Sequence, residues 1–292
     1  MNADVFRAIL AMDSYNRGYG AGVNDLTEGG TIGNAAVRSF QVGEQDGWQA
    51  AGFYASAYSW NGKTVISYRG TNFDYSLSSW QAFVDSPAVK DAKYGWTLGA
   101  GFSGADQGQL AIQFYNGVTG RGIYAGRDPS ILLTGHSLGG GLAGFVASLS
   151  RNNAKTYDHM PFGIAAWSQA IYDSLQAACT QTGVSFDDIK NVLSGSPTLT
   201  FLIKEGLTLN QFYTSFNAEL RLRKPSFAGI EGISTVGEVL QYVRDGTVPI
   251  AIGGITGTLL DILGAPALGI TGLRDYGDSL LNSTLALIHG LR

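Results

Sequence analysis

Apolar positions recur along this chain with two periods. In residues 4–12, Val5, Phe6, Ile9, Leu10 and Met12 stand at helical spacing, which predicts a short amphipathic N-terminal helix. A Gly- and Asn-rich loop follows over 17–34. Residues 48–58 alternate, with Phe53, Ala55 and Ala57 on one face and Tyr54 and Tyr58 on the other. Asn61-Gly62 supplies a hairpin turn, and Thr64–Tyr68 reads as the returning strand. Residues 73–100 lose any clean period and carry Tyr75, Trp80, Phe83 and Trp96. Helical spacing returns from Gln107 to Tyr115 with Leu110, Ile112 and Phe114. Asp128-Pro129 marks a turn, and Ile131–Thr134 is a short buried strand. A glycine-rich stretch then opens an apolar helix ending near Leu149. Met160–Trp167 and Glu238–Val243 read as two more buried strands. Strands alternating with helices predict an α/β fold with a mostly parallel central sheet flanked by helices. Neither a repeat nor a linker interrupts the chain, so one domain is expected over residues 1–292.

Composition narrows the function. Lys plus Arg (19) against Asp plus Glu (23) gives a net charge of −4, without the basic stripe that a nucleic-acid binder needs. Hydrophobic residues at 45% exclude a disordered chain. A single cysteine, Cys179, excludes an intrachain disulfide framework and any CxxC site. Asp4, Arg7 and Asp13 leave no uninterrupted apolar core for a signal peptide at the N-terminus. Val248–Ile270 is long enough for a membrane span and has Asp261 as its only charge. Pro249, Pro266 and five glycines oppose a regular helix there, so a buried or lipid-facing flap is expected instead of a transmembrane span.

The strand at 131–134 runs directly into Gly135-His136-Ser137-Leu138-Gly139, a G-x-S-x-G pentapeptide, and the apolar helix leaves it. That is the context a nucleophile elbow requires. A tight strand-to-helix turn needs small neighbours around the serine. The serine oxygen then stands clear of the sheet, beside a helix N-terminus whose partial positive charge favours a developing oxyanion.

The string ILLTGHSLGGGLAGFVASL resembles the nucleophile region of the class 3 (fungal-type) lipases and related bacterial lipases. Val65-Ile66-Ser67-Tyr68-Arg69-Gly70-Thr71 is similar to that family's strand ending in [FY]-R-G-[ST]. Trp80 and Asp85 keep part of its D-W-x-x-D segment at altered spacing, and Gly101-Phe102 matches its G-F pair. The resemblance is clear over residues 50–150 and faint beyond about 170. It implies an α/β-hydrolase fold with lid insertions and a serine carboxylic-ester hydrolase acting on lipids. On that resemblance Ser137 is the nucleophile. Thr71, by hydroxyl and N–H, and Leu138, by its N–H, form the oxyanion hole. Arg69 braces the loop.

Three histidines are available as the base. His136 adjoins the nucleophile, and its side chain is expected to point away. His159 is expected near the start of the next strand, at the wrong end of the sheet. His289 satisfies the chain order Ser…Asp…His of α/β-hydrolases. Related enzymes often place a His-Ser pair before the final helix, where this chain has Asn282-Ser283. Asp245 follows the strand 238–243 and precedes Val248-Pro249, similar to the family's D-x-V-P, which makes it the expected acid. Asp261 and Asp278 are weaker rivals.

The aromatic insert 73–100 lies where related lipases carry a lid. No organic cofactor is implied, and calcium has no supporting EF-hand or repeat motif. The expected partner is a lipid or ester substrate, at a lipid–water interface; nucleic acid is not expected. A phospholipase A or acyltransferase on the same scaffold is the near alternative. A catalytically silent lipid- or protein-binding module is the distant one. Low charge with many Gly and Tyr residues leans towards a secreted bacterial enzyme.

Overall fold

The computed structural model describes residues 2–18, 30–38, 47–71, 98, 106–187, 189 and 209–234. Their contacts group the chain into two compact units, the first from Met1–Gly99, Gly104–Gly163 and Ser226–Ile250, the second including Ile164–Pro225.

The first unit opens with α1 (Ala3–Asp13), whose first turn is capped by the Asn2 side chain accepting from the Asp4 N–H at 2.8 Å. A 3-10 turn, Ser14–Asn16, follows. Then come β1 (Thr31–Ile32), β2 (Ala35–Arg38), the short helix α2 (Gly47–Ala51), β3 (Ala55–Trp60) and β4 (Lys63–Tyr68). The β3–β4 turn is Asn61-Gly62, with φ of 50° and 73° at its two central residues. Two positive φ values in succession give the turn whose twist matches a hairpin. Next are α3 (Asp106–Thr119), β5 (Ile131–His136), α4 (Leu138–Ser150), β6 (Asn153–Tyr157) and, after the second unit's helices, β7 (Ile230–Ile233).

Among the described residues these seven strands form one sheet in chain order. The pairs from β1 to β4 are antiparallel, and those from β4 to β7 are parallel. With helices on a mixed sheet that is parallel in its middle, this is an α/β-hydrolase fold. Register decides where chemistry can occur. Tyr68 is level with Gly135, His136 with Tyr157, and Tyr157 with Ile233. The loops after β4, β5 and β6 therefore leave at one edge, the carboxyl end where open α/β sheets bind ligands.

Two helices hold the sheet from its faces. Phe6 and Leu10 of α1 pack with Ala35, Tyr58, Val65 and Leu132. Every residue of α4 is buried, as expected of a helix apolar all round. It packs against β4, β5, β6 and α3, and Leu142, Phe145 and Val146 are fully covered.

The second unit holds α5 (Gly163–Thr182) and α6 (Leu209–Arg223). Leu175, Ala178, Cys179, Val184, Ile189 and Phe212 form its core. Glu219 pairs with Arg223 and accepts from Gln181. That ion pair, above all its hydrogen bond from Arg223, holds the Glu219 carboxyl below its usual range.

Two local expectations need correction, and one strand was not expected at all. The strand expected at 160–167 is instead the loop after β6 and the start of α5. A short apolar run looks alike in both states, and here the helix continues for 20 residues. The strand beside β5 is Asn153–Tyr157, whose sequence shows no apolar run because polar partners satisfy it. Lys155 reaches Glu231 at 2.7 Å and Asp4 at 3.3 Å. Likewise the alternation from residue 48 begins as helix α2, with Trp48 packed edge-on to Phe53 and Phe114. The expected strand 238–243, the segment 248–270 and the insert 73–100 (Leu98 excepted) lie outside the described residues.

Candidate active site

Ser137 occupies the single position between β5 and α4, with φ 57° and ψ −125°. A non-glycine residue there is strained, and such strain persists only where the surroundings enforce it. They do so on both sides of its peptide. The Ser137 N–H donates to the Tyr157 carbonyl at 2.9 Å, and its carbonyl accepts from Met160 at 3.1 Å and Gly141 at 3.1 Å. A serine at a helix N-cap ordinarily caps the first turn, but this one makes no such bond. Its φ turns the side chain off the helix end.

The glycines explain how the elbow fits. A Cβ on Gly135 would lie 2.2 Å from the Gly139 carbonyl oxygen, and one on Gly140 2.8 Å from the His159 Cβ. On Gly70 it would lie 2.4 Å from the His136 carbonyl oxygen and 3.2 Å from the Ser137 Cβ. Backbone thus passes backbone at contact distance, and the segment after β4 runs directly beside the candidate nucleophile.

Thr71, one of the two candidate oxyanion donors, is buried at 8% exposure. Leu138 is the first residue of α4, so its N–H has no carbonyl four residues earlier within the helix to serve. Arg69 is buried at 3%. Its guanidinium lies 5.0 Å over the Tyr54 ring and donates to the Arg17 carbonyl at 3.3 Å. That is the bracing role expected of it.

The Arg17 turn is itself anchored. Asp13 is fully buried and accepts from Tyr58 at 2.8 Å and from Arg17. Burial, reinforced by the Asp13 charge, pushes the Tyr58 hydroxyl well above its usual range. The phenol therefore stays a donor throughout the physiological range.

His136 is half-buried, and its Nδ1 lies 3.0 Å from the Tyr15 hydroxyl. His159 requires a correction. Because β6 ends at Tyr157, His159 follows that strand's carboxyl end, the same edge as Ser137. Its Nδ1 lies 3.1 Å from the Met160 carbonyl oxygen. A Cβ on Gly232 of β7 would stand 2.9 Å from its Nε2. The ring thus extends towards β7, whereas the Ser137 Cβ faces Gly70 beyond β4. Asp245, His289 and the rival carboxylates Asp261 and Asp278 lie outside the described residues, as do Trp80, Asp85 and Gly101-Phe102. Sequence reasoning missed Tyr15 and the Asp13–Arg17–Tyr58 cluster, which no local motif signals.

Among the described residues no group of three His, Cys, Asp or Glu side chains could hold a metal ion. No described helix is long and apolar enough to cross a membrane.

Sheet order, register and the strained serine turn define a protein of the α/β-hydrolase class. Residues 65–180, from β4 into α5, match the model of the class 3 lipase family. No curated protein and no solved structure matches the chain.

Proposed function

We propose that this protein is a serine hydrolase of lipid esters. The observation that carries the reading is Ser137, held at φ 57° between β5 and α4 and flanked at 3.2 Å by the position a Gly70 Cβ would take. Ser137 attacks the ester carbonyl. The N–H groups of Leu138 and Thr71, with the Thr71 hydroxyl, receive the oxyanion, and water later releases the acyl group. His289 takes the serine proton and returns it to the leaving alcohol, while Asp245 orients the imidazole. These two roles rest on chain order and on the resemblance. The reaction needs no organic cofactor. The insert 73–100 acts as a lid over the apolar substrate.

Fluorophosphonate labelling read by intact mass, beside p-nitrophenyl ester turnover, tests this. The expected result is a singly labelled wild type, an unlabelled Ser137→Ala and a His289→Ala that labels more slowly by roughly 10³-fold or more. Thr71→Val should lose ~10²–10³ in turnover, as removal of one oxyanion donor does. An inactive, unlabelled wild type with both detergent and calcium present would overturn this reading and favour the silent binding module.

A further inference from the structure

We propose that Tyr15 is a positioning residue for this reaction, its hydroxyl locking the Ser137 elbow to the Gly70–Thr71 arm through His136. The inference rests on the serine-hydrolase reading of Ser137.

Three observations converge on one phenol oxygen. It lies 3.0 Å from the His136 Nδ1 and 3.4 Å from the His136 carbonyl oxygen, so it contacts the residue before the nucleophile through side chain and backbone. A Cβ on Gly70 would stand 2.0 Å from this hydroxyl and 3.2 Å from the Ser137 Cβ. The phenol oxygen therefore rests on the backbone of the residue preceding Thr71, on the face that Ser137 also approaches. Finally, the turn carrying Tyr15 is fixed from behind. Asp13 is tied to Tyr58 and Arg17, and the Arg17 carbonyl accepts from Arg69 on the arm itself.

Tyr15 comes from 121 residues upstream of His136 and belongs to neither element it joins. Nucleophile and oxyanion arm sit on different strands, β5 and β4, whose ladder ends at Gly135 and Tyr68. Past those residues no ladder bond fixes the spacing of Ser137 and Thr71. The phenol bridges that gap. With the ring proton on Nε2, the O–H donates to Nδ1 and holds the imidazole still. Losing the hydroxyl frees both sides by fractions of an ångström. A displacement near 1 Å costs on the order of 10² in rate. The oxyanion forms only in the transition state, so the loss falls on kcat.

The test compares wild type, Tyr15→Phe, His136→Leu and the double variant. Each is assayed for kcat, KM, fluorophosphonate labelling rate and Tm. Phenylalanine keeps the ring packing and removes only the oxygen. The expected result is a kcat lower by ten- to a hundredfold, a matching fall in labelling rate, KM within about twofold and a double variant no slower than the worse single one. Tyr15→Phe with wild-type kcat and labelling rate would overturn the inference, as would a loss confined to KM or fully additive effects. A wild type that does not label would instead overturn the serine-hydrolase reading.

Discussion

Gly139, in the first turn of α4, faces the end of β4 so closely that a Cβ would stand 2.1 Å from the Tyr68 carbonyl oxygen. The obstacle is backbone at the end of a paired strand, and it cannot rotate aside. Gly139→Ala should therefore destabilise the fold by about 3 kcal/mol, the upper end of overpacking costs, and widen the gap between elbow and arm. Gly122→Ala, with nothing within 4 Å, is the matched control and should leave Tm unchanged. Urea unfolding of both variants checks the contrast.

The position of His159 at the catalytic edge makes it a testable rival to His289. Its ring extends to β7 and its Nδ1 meets the Met160 carbonyl. His159→Ala should therefore keep fluorophosphonate labelling within about tenfold of wild type, well short of the ~10³-fold or greater loss of a missing triad base. Labelling abolished in His159→Ala but retained in His289→Ala would transfer the base to β6.

Asp13→Asn addresses the anchor beneath the oxyanion arm. The carboxylate is fully buried between Arg17 and Tyr58. Removing one member of a buried ion pair costs about 3–5 kcal/mol, because its partner stays desolvated. Denaturant midpoints should fall accordingly. A change under about 1 kcal/mol would mean that Arg17 finds water.

Tyr157 predicts an alkaline limb in stability. Its hydroxyl donates to the Asp4 carbonyl at 2.5 Å, and burial, then the Asp4 charge, pushes its pKa from 10.0 up to about 12. A folded pKa above the unfolded one favours the neutral phenol in the native state. Its contribution is complete below pH 10.0 and drains away as pH rises to about 12. Tyr157→Phe should make the decline of Tm across that window shallower. An unchanged slope would refute the assignment.

Several elements were legible because their signals are local. The N-terminal helix expected at 4–12 is Ala3–Asp13, since apolar spacing and the Asn2 cap act within a few residues. The hairpin at Asn61-Gly62 and the strand–turn–helix around Ser137 were equally readable. Glycine and a short β-rich run constrain backbone irrespective of what surrounds them. The class 3 lipase resemblance, read from residues 50–150, agrees with the family match over residues 65–180. Strand β6 was not legible: Asn153-Ala154-Lys155-Thr156-Tyr157 looks like surface until Asp4 and Glu231 arrive from distant parts of the chain on either side of it.

Sequence by itself determined the elbow, its glycines and the order of candidate catalytic residues, because each depends on neighbours along the backbone. Only the tertiary structure decided which edge His159 occupies, what braces Arg69 and which side chain lies against both His136 and Gly70. Those depend on strand register and on contacts between residues more than 100 positions apart, such as Tyr15 with His136. A periodic pattern records which face of an element is buried. It carries no record of what the other side of the contact will be.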